Sequence, residues 1–365
     1  MKKHAIIPIF IPHRGCPNDC VFCNQKAITA RQANVTPADV RRIIETYLPT
    51  LTGRGLETIE TAFFGGSFTG IPMEEQSAFL AVAREYKRKG LIHKIHMSTR
   101  PDYINEAILD NLREYEADII ELGVQSFDPA VLEASNRGHS VEDVYRACDL
   151  IKDYGFELGI QLMIGLPGDS LESCLYSARE TVRMAPSIAR LYPTIVLNDT
   201  ELCAMYRRGE YTPLTTDEAV DITKEMYRII AAAGIRIIRV GLKSTDLIND
   251  SDSDQNQTVG HTYHPAFRQL VEGQIAREEL EAQLLELLGS DEDENAADGT
   301  RRVSFFSNGN SFSNMIGNAR RNKEYFVQKY PEIRIAFQRD DSLGDMVFIA
   351  DSRGILTACT RESTV

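Results

Sequence analysis

The chain has 365 residues, with 40 Lys and Arg against 53 Asp and Glu for a net charge of −13. Its 43% hydrophobic and 25% charged content is that of a folded globular protein and excludes wholesale disorder; its acidity excludes a uniformly basic coat for nucleic acid but not a local basic site. No apolar run approaches the ~20 residues that span a bilayer, and residues 5–12 are too short and proline-broken for a signal peptide, so a cytoplasmic protein with no membrane partner is expected.

Residues 5–11 read as a strand and 35–51 as a helix entered at Thr36-Pro37, with proline in the first turn. Strands then follow over 58–64, 93–98, 119–124, 157–164, 188–197 and 235–240. They alternate with helices over 74–89, 102–115, 128–132 with 141–154, 170–184 and 216–233. Such alternation requires parallel strands joined by right-handed crossovers. Six units make a partial (β/α)6 barrel or an open doubly wound sheet, and either places chemistry at the C-terminal ends of the strands.

After this body, which ends near residue 244, residues 245–260 form a polar loop, 265–288 a helix and 290–299 an acidic linker. Residues 300–365 read as a separate small α/β unit, with strands over 303–307, 333–338 and 346–350 and helices over 312–316 and 321–330. The expected domains are therefore 1–244, a connecting 245–299, and 300–365.

Three of the seven cysteines, Cys16, Cys20 and Cys23, crowd the segment after the first strand in a C-x3-C-x2-C spacing. A secreted disulfide framework spreads paired cysteines through a small fold, so this cluster points to metal. Three thiolates at that spacing can hold three corners of an iron–sulfur cube; ordinary 4Fe–4S ligation uses four, so one iron is left open to another ligand. The competing reading is zinc, with His13 as a fourth ligand, but zinc favours closed sites from paired Cys or His sets, and no second pair follows. The isolated Cys148 and Cys174, on helices, read as core packing.

Polar or glycine-rich sets end the later strands. They are Gly65-Gly66-Ser67-Phe68-Thr69-Gly70, Ser98-Thr99-Arg100-Pro101-Asp102, Gln125-Ser126-Phe127 and Gly165-Leu166-Pro167-Gly168-Asp169. Each lies where the mouth of a barrel should be. Arg100 offers a planar fork to a carboxylate or phosphate; its plainer reading is a surface ion pair. Gln125 and Ser126 can bond a ligand's hydroxyls or satisfy the barrel-end backbone.

The cysteine segment, including Phe22 just before the third cysteine, resembles that of the radical S-adenosylmethionine (SAM) superfamily. The resemblance implies that the three cysteines bind a 4Fe–4S cluster and that SAM chelates the open iron. Electron transfer, from a donor such as a flavodoxin or ferredoxin, then cleaves SAM to methionine and a 5′-deoxyadenosyl radical. It implies SAM contacts from Phe22, Gly65, Gly66, Ser67, Arg100, Gln125, Ser126, Met163, Gly165 and Leu197. Within the superfamily, TRPDYI, ELGVQSFDPAVLEASNRGH, QLMIGLPGD and LYPTIVLNDTEL resemble the radical-SAM part of the catalytic subunit of Elongator, which modifies the wobble uridine of tRNA. ELGVQSF and GLPGD also resemble oxygen-independent coproporphyrinogen oxidase. The Elongator subunit has a wider gap between its first two cysteines and an acetyltransferase domain, for which no signature is found here. Arg100, Lys243 and His264 are candidate catalytic side chains.

In the last unit the strand–helix–turn–helix–strand order resembles a KH domain, with Gly317-Asn318-Ala319-Arg320 in place of the GXXG loop that clamps nucleic-acid backbone. Arg320 departs from the second glycine. The loop together with Arg321 and Lys323 would bind RNA, while a solvated basic helix is the plainer reading. The function expected is a radical SAM enzyme modifying a tRNA base. The alternatives are a small-molecule enzyme of the coproporphyrinogen oxidase kind and a non-catalytic iron–sulfur RNA-binding protein.

Overall fold

The first strand, β1 (His4–Ile11), buries Ile7, Ile9 and Ile11 on one face, while His4, Ile6, Pro8 and Phe10 share the other. That two-residue period fits a strand covered by helices on one side and lining an interior on the other. The computed structural model describes residues 4–11, 20–23, 35–242, 258–289 and 301–352. Cys16, Lys243, the 290–299 run and most of the 245–260 loop lie outside them. The chain divides into two compact units, Met1–Pro265 and Ala266–Val365.

Helix α1 (Pro37–Leu51) starts as its sequence requires. Thr36 accepts from the Asp39 amide at 3.2 Å and Asp39 returns a bond to the Thr36 amide, a reciprocal cap on two orphan donors. The alternation continues as β2 (Thr58–Gly65), α2 (Met73–Arg88), β3 (Lys94–Thr99), α3 (Glu106–Glu114) and β4 (Ile119–Gln125). It goes on through α4 (Pro129–Ala134), α5 (Val141–Asp153), β5 (Glu157–Ile164), α6 (Leu171–Met184) and β6 (Ile188–Pro193). The strand order is β1-β2-β3-β4-β5-β6-β8, all pairs parallel, with β8 (Arg236–Val240) as the seventh strand. The expected partial barrel is thus present as a curled half-barrel of seven strands.

One expected strand is divided. The 188–197 run leaves the sheet at Pro193, which brings no amide donor to the ladder. Val196–Leu197 (β7) then pairs antiparallel with Thr258–Val259 (β9). Between them lie α7 (Glu201–Arg207), which the sequence reading did not mark, and α8 (Thr216–Ala232).

The second unit comprises α9 (Phe267–Gly289), β10 (Arg301–Ser307), α10 (Phe312–Ile316), a tight turn at Asn318–Arg320, α11 (Arg321–Lys329), β11 (Ile333–Arg339) and β12 (Ile349–Asp351). β10 lies central, parallel to β11 and antiparallel to β12. Ala276, Leu280 and Leu284, four residues apart on α9, share one buried cluster with Phe305, Met315 and Phe326. This apolar stripe makes α9 part of the small unit, which therefore begins some thirty residues before the boundary expected at 300.

Candidate active site

Cys20 and Cys23 stand one turn apart, the Cys23 amide donating to the Cys20 carbonyl at 2.9 Å. The turn is anchored on both sides: the Val21 amide donates to Ser135 O at 3.1 Å and Val21 O accepts from the Leu202 amide at 2.7 Å. Val21 and Phe22 pack with Val196, Leu202 and Tyr211, so Phe22 is a packing residue here. The Cys20 side chain is buried, with its Sγ 3.2 Å from Nη1 of Arg137 and 4.0 Å from Nη1 of Arg100. Arg137 also donates to Gly123 O through Nη2 at 2.5 Å, and its buried Nε meets no acceptor among the described residues.

The ends of β2 and β3 are knotted by hydroxyls. Thr99 Oγ1 lies 2.7 Å from Ser67 Oγ and 2.5 Å from Thr69 Oγ1, and Ser67 Oγ accepts the Arg100 amide at 3.1 Å. Gly65 is obligatory: its φ is +120° and a Cβ there would stand 2.1 Å from Ile11 O. The next amide, Gly66, donates to that same carbonyl at 3.4 Å. Arg100 is bound in a fork by Asp102, both bonds at 2.9 Å.

Gln125 ends β4 after a register irregularity, in left-handed backbone with φ +73°. Such strain in a residue with a Cβ is held by its surroundings and marks a placed side chain. Among the described residues its buried Oε1 meets no donor. His139 lies in the same region. Burial, then the Arg137 and Arg100 charges, hold its imidazole down to about 3, so it is neutral near pH 7.

The other expected contacts are dispersed. Ser126 Oγ is engaged with the Asp128 amide at 3.1 Å and Ser177 Oγ at 3.4 Å, serving the turn into α4. Gly165 is fixed by packing and turn geometry, with φ +80°, Leu214 against its Cβ direction, Asp169 on its amide and Tyr211 on its carbonyl. Met163 is half-buried on β5. Leu197 packs with Ile195, Leu242 and Tyr263, and His264 stands in the segment before Pro265. Burial pushes the Cys148 thiol up to about 12, in keeping with inert core packing. Sequence reasoning placed Thr99 in the polar set that ends β3 but gave neither it nor Arg137 a role of its own. Arg137 lay within the Asn136-Arg137-Gly138-His139 stretch already quoted, but only the return of the chain past α4 brings it to Cys20.

Below this rim the interior face carries a chain of charges. His4 Nε2 lies 2.8 Å from Glu60, His96 sits between Glu60 at 3.4 Å and Glu121 at 3.3 Å, and Arg190 Nε lies 2.9 Å from Glu121. Burial alone would push His96 down, but the hydrogen bonds and charges of Glu121 and Glu60 prevail and raise it. Burial likewise opposes the charge on Glu60, yet His4 and His96 hold it at about 2.

In the second unit, Gly317 is the position where a Cβ would meet the Asn322 amide at 2.7 Å. Ala319 and Arg320 follow with φ of +49° and +67°. Asn322 Nδ2 caps Gly273 O, Asn314 O and Met315 O, and Asn318 Nδ2 donates to Gln269 at 2.9 Å, so this loop is held from both sides. Arg320, Arg321 and Lys323 are exposed.

Comparison with known proteins places these features. The chain is 29% identical over 260 residues to the tRNA uridine(34) acetyltransferase of Methanocaldococcus infernus, covering 60% of this chain and 48% of that protein. It is 26% identical over 262 residues to Elongator complex protein 3 of Homo sapiens, again covering 60% of this chain and 48% of the relative. The chain thus spans about half the length of the curated relatives it matches. Its fold matches the structure of the archaeal Methanocaldococcus infernus Elp3, with a TM-score of 0.52 and 24% identity, covering 67% of this chain and 61% of that one. The family model for the Radical SAM superfamily matches residues 10–180, and that for the Radical SAM C-terminal domain matches 186–277. Enzymes of this family use a 4Fe–4S cluster and SAM. The buried Cys20 thiol beside Arg137 and the buried Gln125 acceptor fit those groups, and the chain, through its matched residues 10–180 and 186–277, belongs to the radical SAM superfamily.

Proposed function

We propose that the protein cleaves SAM to a 5′-deoxyadenosyl radical and directs it at a base in tRNA. The observation that carries the reading is the rim itself: a buried cysteine met by Arg137 and Arg100, beside a buried Gln125 acceptor that no described donor meets. Cys16, Cys20 and Cys23 would hold the cluster, which when bound supplies the electron that breaks the SAM sulfonium bond. Arg137 supplies a fixed positive charge for the thiolate side of the cluster and the SAM carboxylate. Gln125 Oε1 accepts from a ribose hydroxyl. Thr99 holds the Gly65-Gly66-Ser67 loop still, so that its backbone meets the SAM amino group without reorganisation.

The tRNA target is supported by the relatives, whose names specify tRNA uridine(34). The small unit supports it as a KH-like fold whose preformed Gly317–Arg320 loop and adjoining Arg321 and Lys323 offer charge to an RNA backbone. The test is anaerobic. The cluster is reconstituted, a flavodoxin or chemical reductant and SAM are added, and 5′-deoxyadenosine is measured with and without bulk tRNA. Strong stimulation by tRNA is expected. Turnover indifferent to tRNA would move the substrate to a small molecule, and a bound cluster with no SAM cleavage would remove the catalytic reading.

A further inference from the structure

Five polar side chains share the inner face of the half-barrel: Ser98 on β3, Glu121 on β4, Gln161 on β5, and Arg190 and Tyr192 on β6. Glu121 is the hub. Being a carboxylate, it only accepts: its Oε1 takes Ser98 Oγ at 3.4 Å and Gln161 Nε2, while its Oε2 forms an ion pair with Arg190, 2.9 Å from Nε. Gln161 Nε2 spends its second hydrogen on Ser98 Oγ at 3.2 Å. The carboxylate therefore settles which end of the Gln161 amide faces inward, because the opposite orientation would set oxygen against oxygen. With both amide hydrogens committed, Oε1 remains a fixed acceptor, and no described donor meets it.

Tyr192 is fixed in the complementary sense. Its hydroxyl oxygen accepts Arg190 Nη1 at 3.2 Å, so its hydrogen is left to donate, and no described acceptor takes it. Burial holds the phenol above its ordinary value, so that hydrogen is retained at any physiological pH. Gln161 stands opposite Arg190 in the register and Tyr192 opposite Met163, so the two groups are diagonal neighbours on adjacent strands. Both are half-buried, unlike the fully buried Glu121 that orients them.

An oriented acceptor beside an oriented donor is a recognition element. Among the bases, the imide edge of uracil offers its complement, an N3–H donor next to a carbonyl oxygen. Cytosine offers the reverse, an unprotonated N3 next to an amino group. We propose that Gln161 Oε1 and the Tyr192 hydroxyl read the imide edge of a uracil ring turned into the barrel, accepting from N3–H and donating to the neighbouring carbonyl. Glu121 and Arg190 act as positioning residues, fixing the amide and the hydroxyl in the sense that selects uracil over cytosine. A base must leave its stack to reach such a site, and hydrogen bonds to its Watson–Crick edge are how extruded bases are told apart. The inference rests on the RNA reading above and deepens it.

The experiment compares binding of two synthetic anticodon stem-loops, with uridine or cytidine at the wobble position, to the cluster-loaded full chain. Phosphate contacts are common to both RNAs and cancel in the ratio of dissociation constants, which isolates the base edge. The wild type should favour uridine roughly tenfold. Tyr192→Phe, which keeps the ring, should lower that ratio several-fold, and Gln161→Leu should bring it close to one, with thermal melting confirming the fold of each. Equal binding of the two loops by wild type, or an undiminished ratio in Tyr192→Phe, overturns the edge-reading while leaving the RNA reading intact. Failure of the wild type to bind either stem-loop overturns both.

Discussion

Two buried charge clusters lie in the same half-barrel, and they balance charge differently. In the interior chain, basic and acidic side chains alternate: His4, Glu60, His96, Glu121, Arg190. Each carboxylate has a basic side chain on either side. At the rim, Arg100 and Arg137 converge on one thiol with Asp102 as the carboxylate bound to Arg100, and His139 beside them is held neutral. In the first, opposite charges stand side by side and balance; in the second, two guanidiniums share a single carboxylate, which leaves positive charge for a ligand to balance. The difference separates a scaffold from a site within a few residues of the same strands.

The sharpest way to break this contrast is at the thiol. Cys20→Ala should reduce iron retained after anaerobic reconstitution to background and abolish 5′-deoxyadenosine formation. Iron retained at the wild-type level would detach the rim from cluster binding.

The interior chain should respond as stability, not as cofactor binding. His96→Ala leaves Glu60 and Glu121 buried without the cation between them, and breaking a buried pair costs about 3–5 kcal/mol. The pH dependence follows from the raised His96. The imidazolium's contribution is fully present below the unfolded histidine value, about 6.5, and fades as pH rises through the higher folded value. The gap between wild type and variant in urea unfolding should therefore be widest between about pH 5 and 6.5 and narrow toward alkaline pH. A gap that widens with alkalinity would mean His96 is buried neutral.

Arg137→Met tests the rim with a milder change. The methionine keeps much of the buried stem but removes the donors to Cys20 Sγ and Gly123 O. Iron content should stay near the wild-type value, while the SAM dissociation constant, measured by calorimetry on the cluster-loaded protein, rises about ten- to a hundredfold. Unchanged SAM affinity would confine Arg137 to local packing.

The half-barrel was legible in the sequence because a parallel strand buried on both faces and a helix cap each leave a local pattern, and the motifs at strand ends fell where that topology must put them. What was illegible is whatever topology alone brings together. Glu60, His96, Glu121 and Arg190 are single polar residues in four separate strands, tens of residues apart, and only the register of the sheet makes them neighbours. Arg137 reached Cys20 across more than a hundred positions. Leu197 left the sheet because of Pro193, and Ser126 turned to serve α4 and Ser177, neither of which its own motif announces. The small unit's start was misplaced for a related reason: the stripe on α9 marks a buried face without saying what buries it.

The smallest effect is expected in the Gly317–Arg320 loop, and its sign is informative. Arg320 holds φ +67°, a left-handed backbone that costs an L-residue ~1–2 kcal/mol relative to glycine. Glycine recovers that cost but loses more conformational freedom on folding, by about 0.5–1 kcal/mol. Arg320→Gly should therefore leave the melting temperature nearly unchanged or slightly raised. If the exposed guanidinium contacts RNA phosphate, the same variant binds tRNA a few-fold more weakly, with the salt dependence of binding reduced by about one ion. If instead the loop acts through its backbone amides, removing the side chain lets phosphate approach and affinity rises. The first outcome is expected, because the loop is already rigidly capped by Asn322 and Asn318 and gains no closer geometry from glycine, whereas the exposed charge has no substitute at that position.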